Sequence, residues 1–401
     1  MIPSVVIATP DEIASSAQGE VRVVLEVRVT EVDPLARSMP LAIYASGNLE
    51  SLGRWRPKGL RLEPSSDGLF RAEFTAAEGT DVEFKITAGS WQHVEKDTQG
   101  RDIANRRFKV QSAVTNQPQR VSITVASLAI SNSTESKVTG RLVIHERVES
   151  KSLVATRNVS VWLPPGYENS TDRYPVLYLQ DGQNLFDAAT AAFGVEWRAD
   201  ETATQLIADK KITPVILVGV WNTADRVDEY TPTKDNQLKR GGLGAAYIDF
   251  LADELKPFID RTYRTQPDRE STWIGGSSLG GLISIHACLQ RPDVYGGCLS
   301  FSPSLGWDDE RLLKTLSSEA HWPNNLQLWF SMGTAEGRNA EAHALNASRA
   351  RRLAKQLTEN ERNHSARIRY CEFPDANHNE NAWSLQFSDS LTYAFAVRVD
   401  K

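Results

Sequence analysis

The chain has 401 residues, with 45 Lys and Arg against 51 Asp and Glu, a formal net charge of −6, and 40% hydrophobic residues. That length favours two domains, each large enough to bury its own core. The acidic balance leaves no basic footprint for nucleic acid or an anionic membrane, and no apolar run nears the roughly 20 residues of a membrane-spanning helix.

Residues 1–20 read as an extension. Met1-Ile2-Pro3-Ser4-Val5-Val6 opens without the basic and apolar regions of a secretory signal, so the cytoplasm is the default compartment. Removal of a leader would instead make the protein secreted or periplasmic. Residues 21–126 read as all-β. Val21 to Val29 keeps an apolar residue at every odd position, and Leu41–Ala45, Asp81–Ile86 and Val121–Val125 also read as strands. Turn pairs such as Asp67-Gly68 and Glu78-Gly79 separate them, which predicts a β-sandwich. Residues 127–139, with the small polar run Ser131 to Lys137, read as a linker.

From Gly140 to the end the grammar changes. Two β-rich runs, Arg141–Val148 and Arg157–Leu163, precede strands that alternate with helical segments. Tyr174–Leu179 and Val215–Val220 are short continuous apolar strands, the pattern of a sheet covered on both faces. Helices are expected at Glu201–Asp209 and Ala245–Ile259, with further strands near 297–300, 326–331 and 366–373. This predicts a doubly wound, mostly parallel α/β sheet, with its site beyond the carboxyl ends of the strands.

Within that sheet, Gly276-Ser277-Ser278-Leu279-Gly280 follows the strand-like run Ser271–Ile274 and precedes an apolar helical run, Gly281–Leu289. A G-x-S-x-G at a strand-to-helix turn is the pattern of a nucleophile elbow, with Ser278 at its tip. The ordinary alternative is a Gly-rich turn. A serine needs a base, and of seven histidines only His378 lies just after the last strand. His93 lies in the β-domain and His145 precedes the parallel strands, while His286 sits too far along the elbow helix. His321, His343 and His364 precede strands. Glu336, after the strand ending at Ser331, is the acid expected to orient His378, with Asp308, Asp309 and Asp375 as alternatives. The amides of Leu279 and Gln183 are the expected oxyanion donors. Cys288, Cys298 and Cys371 show no metal-ligand spacing, so neither metal nor cofactor is expected.

From about residue 140 onward the chain resembles the esterase-D-like α/β-hydrolases, which include enterobactin and bacillibactin esterases and feruloyl and acetylxylan esterases. The resemblance rests on Val161–Tyr167, Tyr174–Gln183, Arg226–Pro232, the elbow, Ser300–Ser304 and His378–Trp383. It implies Ser278 as nucleophile, His378 as base and Glu336 as acid. It places Trp197, Asn222, Arg226 and Trp307 around the substrate. Leu305-Gly306-Trp307 stands where many relatives carry paired aromatics, implying a more open pocket.

The β-domain is similar to starch-binding carbohydrate modules at Gly47–Trp55, Phe84–Trp91, Glu95–Asp97 and Asn105-Arg106. The similarity places Trp55, Lys85, Trp91 and Asn105 on sugar-contacting positions, the tryptophans for stacking and the polar pair for hydroxyls. The alternative reading is that these tryptophans are core. Together these features predict a serine ester hydrolase acting on an acylated carbohydrate or plant-derived ester. A siderophore trilactone esterase is the rival, with Arg198, Arg226, Lys234, Lys239 and Arg240 available to meet an anionic iron complex. An acyltransferase using the same residues is a further option, and a carbohydrate-binding protein with an idle hydrolase fold is the alternative of another class. The expected partners are a small-molecule or glycan ester and, through the β-domain, polysaccharide.

Overall fold

The computed structural model describes residues 20–31, 42–65, 67–89, 93–98, 103–111, 117–128, 138–191, 195–318, 322–337, 339–359 and 367–397. The chain forms two compact units, Met1–Asn132 and Ser133–Lys401.

The first unit holds β1 (Glu20–Glu31), β2 (Ile43–Gly47), β3 (Leu60–Pro64), β4 (Phe70–Ala77), β5 (Asp81–Thr87), β6 (Arg106–Lys109) and β7 (Gln119–Ser127). The period-two reading of β1 holds: Val21, Val23, Leu25 and Val27 are buried while Arg22 and Arg28 face solvent. Where a two-sheet sandwich was predicted, hydrogen bonding runs unbroken through β6-β5-β2-β3-β4-β1-β7. The link is thin, because β3 and β4 share only the pairs Glu63 with Arg71 and Pro64 with Phe70. The sheet covers one core that includes Val23, Leu25, Ile43, Phe84, Ile86 and Val125.

The second unit holds β8 (Arg141–Val148), β9 (Arg157–Leu163), β10 (Val176–Gln180), β11 (Ile216–Val220), β12 (Thr272–Ser277), β13 (Gly297–Phe301), β14 (Gln327–Gly333) and β15 (Arg367–Phe373). Its helices are α1 (Ala199–Ala208), α2 (Arg226–Glu229), α3 (Gly244–Asp249), α4 (Lys256–Thr262), α5 (Leu279–Gln290), α6 (Trp307–Ser318), α7 (Ala340–Glu359) and α8 (Glu380–Phe395). A π-helical turn, Phe250–Leu255, joins α3 to α4 just ahead of Pro257. Proline supplies no N–H to an α-helical ladder, and the wider turn accommodates that gap.

The eight-stranded sheet runs β15-β14-β13-β12-β10-β11-β9-β8. It is parallel from β15 to β11 and antiparallel at β9 and β8. Both faces are covered, as the apolar strands require. Val176 and Tyr178 of β10 point into one core with Tyr247, Leu282 and Leu353, while Leu177 and Leu179 point into another with Ala203, Trp383 and Phe387. Strand order reverses between β10 and β12. This topological switch opens a crevice at their carboxyl ends, where the chain emerges at Asp181-Gly182-Gln183 and at Ser278.

Candidate active site

Ser278 sits between β12 and α5 at φ 58°, ψ −122°, a backbone conformation that L-residues rarely adopt. Close packing enforces the turn. A Cβ on Gly276 would lie 2.8 Å from Gln180 Cβ, one on Gly280 2.9 Å from the same atom, and one on Gly281 2.7 Å from Ser300 Oγ. The glycines therefore let the elbow lie against the end of β10.

The predicted base and acid converge on this serine. His378, in the turn between β15 and α8, places Nε2 2.9 Å from Ser278 Oγ, and its Nδ1 lies 2.8 Å from Glu336 Oε2. Glu336 follows β14 and is 1% exposed. Its other oxygen accepts from the Gly333 amide at 2.6 Å and from the Ser302 hydroxyl at 2.5 Å. Trp383 Nε1 donates to Ser302 Oγ at 3.0 Å, and its ring meets His378 edge-on with centroids 5.0 Å apart. Ser302 and Trp383 lie inside the sequence blocks that carried the resemblance, yet nothing in their spacing distinguished them. The alternatives for the acid are placed elsewhere: Asp308 bonds to Arg311 at 3.2 Å and Asp309 to Lys314. The loops carrying Glu336 and His378 are joined by Ala335 N to Ala376 O at 3.1 Å. A Cβ on Gly333 would lie 2.2 Å from that same Ala376 oxygen, so only glycine allows the approach.

The second expected oxyanion donor lies in the turn Gly182–Asn184, directly after β10. Asp181, at φ 57° and 6% exposed, anchors this turn. Its carboxylate receives Arg226 Nε and Nη2, both at 2.7 Å, and Asn222 Nδ2 at 2.7 Å. The Asn222 amide donates to Gln183 Oε1 at 3.2 Å, and Thr190 Oγ1 donates to Gln183 O at 2.8 Å. Asn222 and Arg226, expected at the substrate, thus spend these groups on holding the Gln183 turn. Leu279 opens α5, where a helix's first N–H groups have no intrahelical acceptor.

Two of the other expectations are corrected. Trp197 is 2% exposed and packs among Phe301, Trp383 and Phe387, so it supports the wall behind His378 and offers no face to a substrate. Lys85 is 4% exposed and donates to the Ile103 carbonyl: it lies on the face of β5 opposite the core residues Phe84 and Ile86, covered by another stretch of chain. Asn105 is half-buried and donates to Glu83 at 3.1 Å, while Trp55 is half-exposed at the end of a short helical turn. Trp91 lies outside the described residues.

Trp307 does line a cavity, of about 290 Å³, that reaches His378. Pro303, Leu305, Trp307 and Met332 give it apolar wall, with Asp235, Asn346 and Arg349 at its polar positions. Trp307 is fixed by donating to the Thr233 carbonyl at 2.9 Å. Asp308, Asp309 and Glu310 follow in left-handed conformation, at φ 46°, 52° and 61°. That turn directs Glu310 onto Arg349 at 2.9 Å and Arg352 at 2.6 Å.

A strained serine, an imidazole and a buried carboxylate in hydrogen-bonded series, beside a cavity at a topological switch, define a serine hydrolase site. The Esterase family's sequence profile matches residues 150–394, more than half of the chain, and the protein belongs to that family. It is an esterase. The chain is 27% identical over 228 residues to the ferri-bacillibactin esterase BesA of Bacillus subtilis, covering 51% of this chain and 73% of that protein. It is 31% identical over 155 residues to an endo-1,4-beta-xylanase/feruloyl esterase of Xylanibacter ruminicola, covering 37% of this chain and 19% of that protein. Among solved structures, the enterobactin esterase FES from Shigella flexneri aligns with TM-score 0.51 and 15% identity over 88% of this chain and 87% of that one. That alignment shows a shared fold and, at this coverage, extends beyond the second unit into the first.

Proposed function

We propose that Ser278 is the nucleophile of a carboxylic ester hydrolase that works through an acyl-enzyme, with His378 as its general base and acid. The observation that carries this reading is the unbroken series from Ser278 Oγ to His378 at 2.9 Å and on to Glu336 at 2.8 Å. The Ser278 hydroxyl attacks the ester carbonyl as its proton passes to His378 Nε2. Glu336 accepts from His378 Nδ1–H, fixing the tautomer and stabilising the imidazolium. The carbonyl oxygen becomes an oxyanion between the Leu279 and Gln183 amides. On collapse the alcohol leaves with the proton held by His378. Water then attacks the acyl-enzyme by the same route and releases the acid.

The substrate we propose is a feruloyl- or acetyl-type ester of a carbohydrate or plant polymer, with its acyl group in the Trp307 cavity. Apolar walls with polar groups at Asp235, Asn346 and Arg349 suit a compact acyl group carrying polar substituents. The relative that joins a xylanase to a feruloyl esterase supports this choice. A siderophore trilactone is the second reading, favoured by the alignment with FES across 88% of the chain. Against it, Arg226 and Arg240 meet Asp181 and Asp228, which neutralises two of the five cations expected to face an iron complex. Polysaccharide retention by the β-unit rests on Trp55 alone among the described residues. Rates on methyl ferulate, acetylated xylan and a catecholate trilactone, for wild type and Ser278→Ala, test the proposal. Hydrolysis of the trilactone alone would overturn the substrate class, and equal rates in the variant would overturn the nucleophile.

A further inference from the structure

We propose that Glu196, Asp200 and Glu201 form a calcium site that braces the segment behind the Gln183 turn. One carboxylate oxygen from each residue lies within 4.8 Å of the others. The cluster alone would mean little, but Asp200 is 0% exposed. Its Oδ2 accepts the Thr139 amide at 2.5 Å, while its Oδ1 is buried and meets no hydrogen-bond donor among the described residues. Glu196 Oε2 and Glu201 Oε2 are buried without a donor in the same way. Three acidic side chains thus gather in one place, and each carries a buried oxygen without a donor among the described residues. The nearby guanidinium, Arg198, is 68% exposed and reaches Glu201 Oε1 at 3.5 Å. Buried carboxylates without donors demand a positive partner or a proton.

The spacing suits calcium. Calcium–oxygen distances of about 2.3–2.6 Å let oxygens on opposite sides of one ion stand about 4.6–5.2 Å apart. Calcium also accepts irregular coordination completed by water, as three side chains would require, whereas magnesium holds a stricter octahedron. The position gives the ion a purpose. Trp197 N donates to Asn184 O at 2.8 Å and Ala199 N to Leu185 O at 3.0 Å, so residues 196–201 are bonded to the stretch that follows Gln183. Asp200 ties the same stretch to Thr139, whose carbonyl accepts Trp162 Nε1 at 2.7 Å. An ion here would therefore stiffen the outer support of the oxyanion turn without touching the substrate.

The test uses the full chain stripped with EDTA and titrated with CaCl2, followed by thermal unfolding and by terbium luminescence sensitised through Trp197. Saturating Ca2+ is expected to raise Tm by about 5 °C and to displace Tb3+. Glu196→Gln and Glu201→Gln keep side-chain size and are expected to weaken both responses at least about tenfold. Tm unmoved by Ca2+, or terbium emission equal in wild type and both variants, would overturn the site. A response to Mg2+ but not Ca2+ would overturn the choice of ion. Stabilisation of the ion-free protein by Glu196→Gln, with no Ca2+ response in wild type, would replace the metal with a shared proton.

Discussion

Buried polar groups serve different ends in the two units. In the β-unit they close on one another. Glu95, 0% exposed, takes the Ile86 amide at 2.9 Å and Arg106 at 2.7 Å. Glu83 accepts from Arg107 and Asn105, and Lys85 donates to a backbone carbonyl. In the second unit the buried Glu336 leads outward through His378 to a serine on a cavity wall. Buried polarity that satisfies itself is scaffolding. A chain of donors and acceptors that ends at an open cavity is available for chemistry. Family resemblance alone did not separate the two, since it marked both Lys85 and Ser278 as site residues.

The sharpest way to break the contrast is Ser278→Ala, which should lower kcat/KM on p-nitrophenyl acetate by about 10⁴-fold or more with Tm unchanged. Glu336→Gln should follow, with about a 10³-fold loss in kcat and little change in KM, because the amide no longer selects the imidazole tautomer. A loss below tenfold would show that Ser278 and His378 run the reaction without it.

Next comes a buried pair that belongs to scaffolding inside the catalytic unit. Arg157 and Glu229, 0% and 2% exposed, bond at 2.8 Å and 3.0 Å. Glu229→Gln leaves a buried guanidinium without its counter-charge and should cost about 3 kcal/mol in urea unfolding. An apolar replacement of both partners should recover most of that.

A smaller effect concerns pH. Burial pushes His286 down from its ordinary 6.5 to about 4. Below about pH 6.5 the unfolded chain takes up a proton that the fold refuses at this histidine, so its contribution to stability falls as pH drops from about 6.5 to 4 and then levels. The loss should be about 3 kcal/mol, and His286→Gln should flatten that part of the Tm profile. The smallest effect returns to the β-unit. Trp55→Ala should lower retention of the full chain on insoluble starch a few-fold, while Lys85→Met leaves it unchanged. Equal losses in both would restore Lys85 as a sugar contact.

Much of this was legible without coordinates, and the reason lies in range. The alternation along β1, the apolar runs of β10 and β11, and the glycines around Ser278 act between neighbours a few residues apart, so they survive in one-dimensional form. His378 and Glu336 were legible because each follows a recognisable strand late in the chain. Ser302, Trp383 and Asp181 were not, since each works through a partner brought near by sheet order. Trp197 and Lys85 misled for the same reason: a tryptophan or lysine has the same letter whether it faces a ligand or another part of its own chain.

By itself, then, the amino-acid sequence determined the β-rich first part, the α/β second part, the elbow and the order serine, acid, histidine. Local propensity and side-chain period are enough for those. Only the tertiary structure decided that β10 lies beside β12, so that the Gln183 turn and Ser278 share one crevice. It alone decided that Asp181 uses Asn222 and Arg226 to hold that turn, and that three carboxylates near α1 each keep one buried oxygen with no donor among the described residues. Those outcomes depend on which surfaces exclude water together, a property of packing that no single stretch of chain carries.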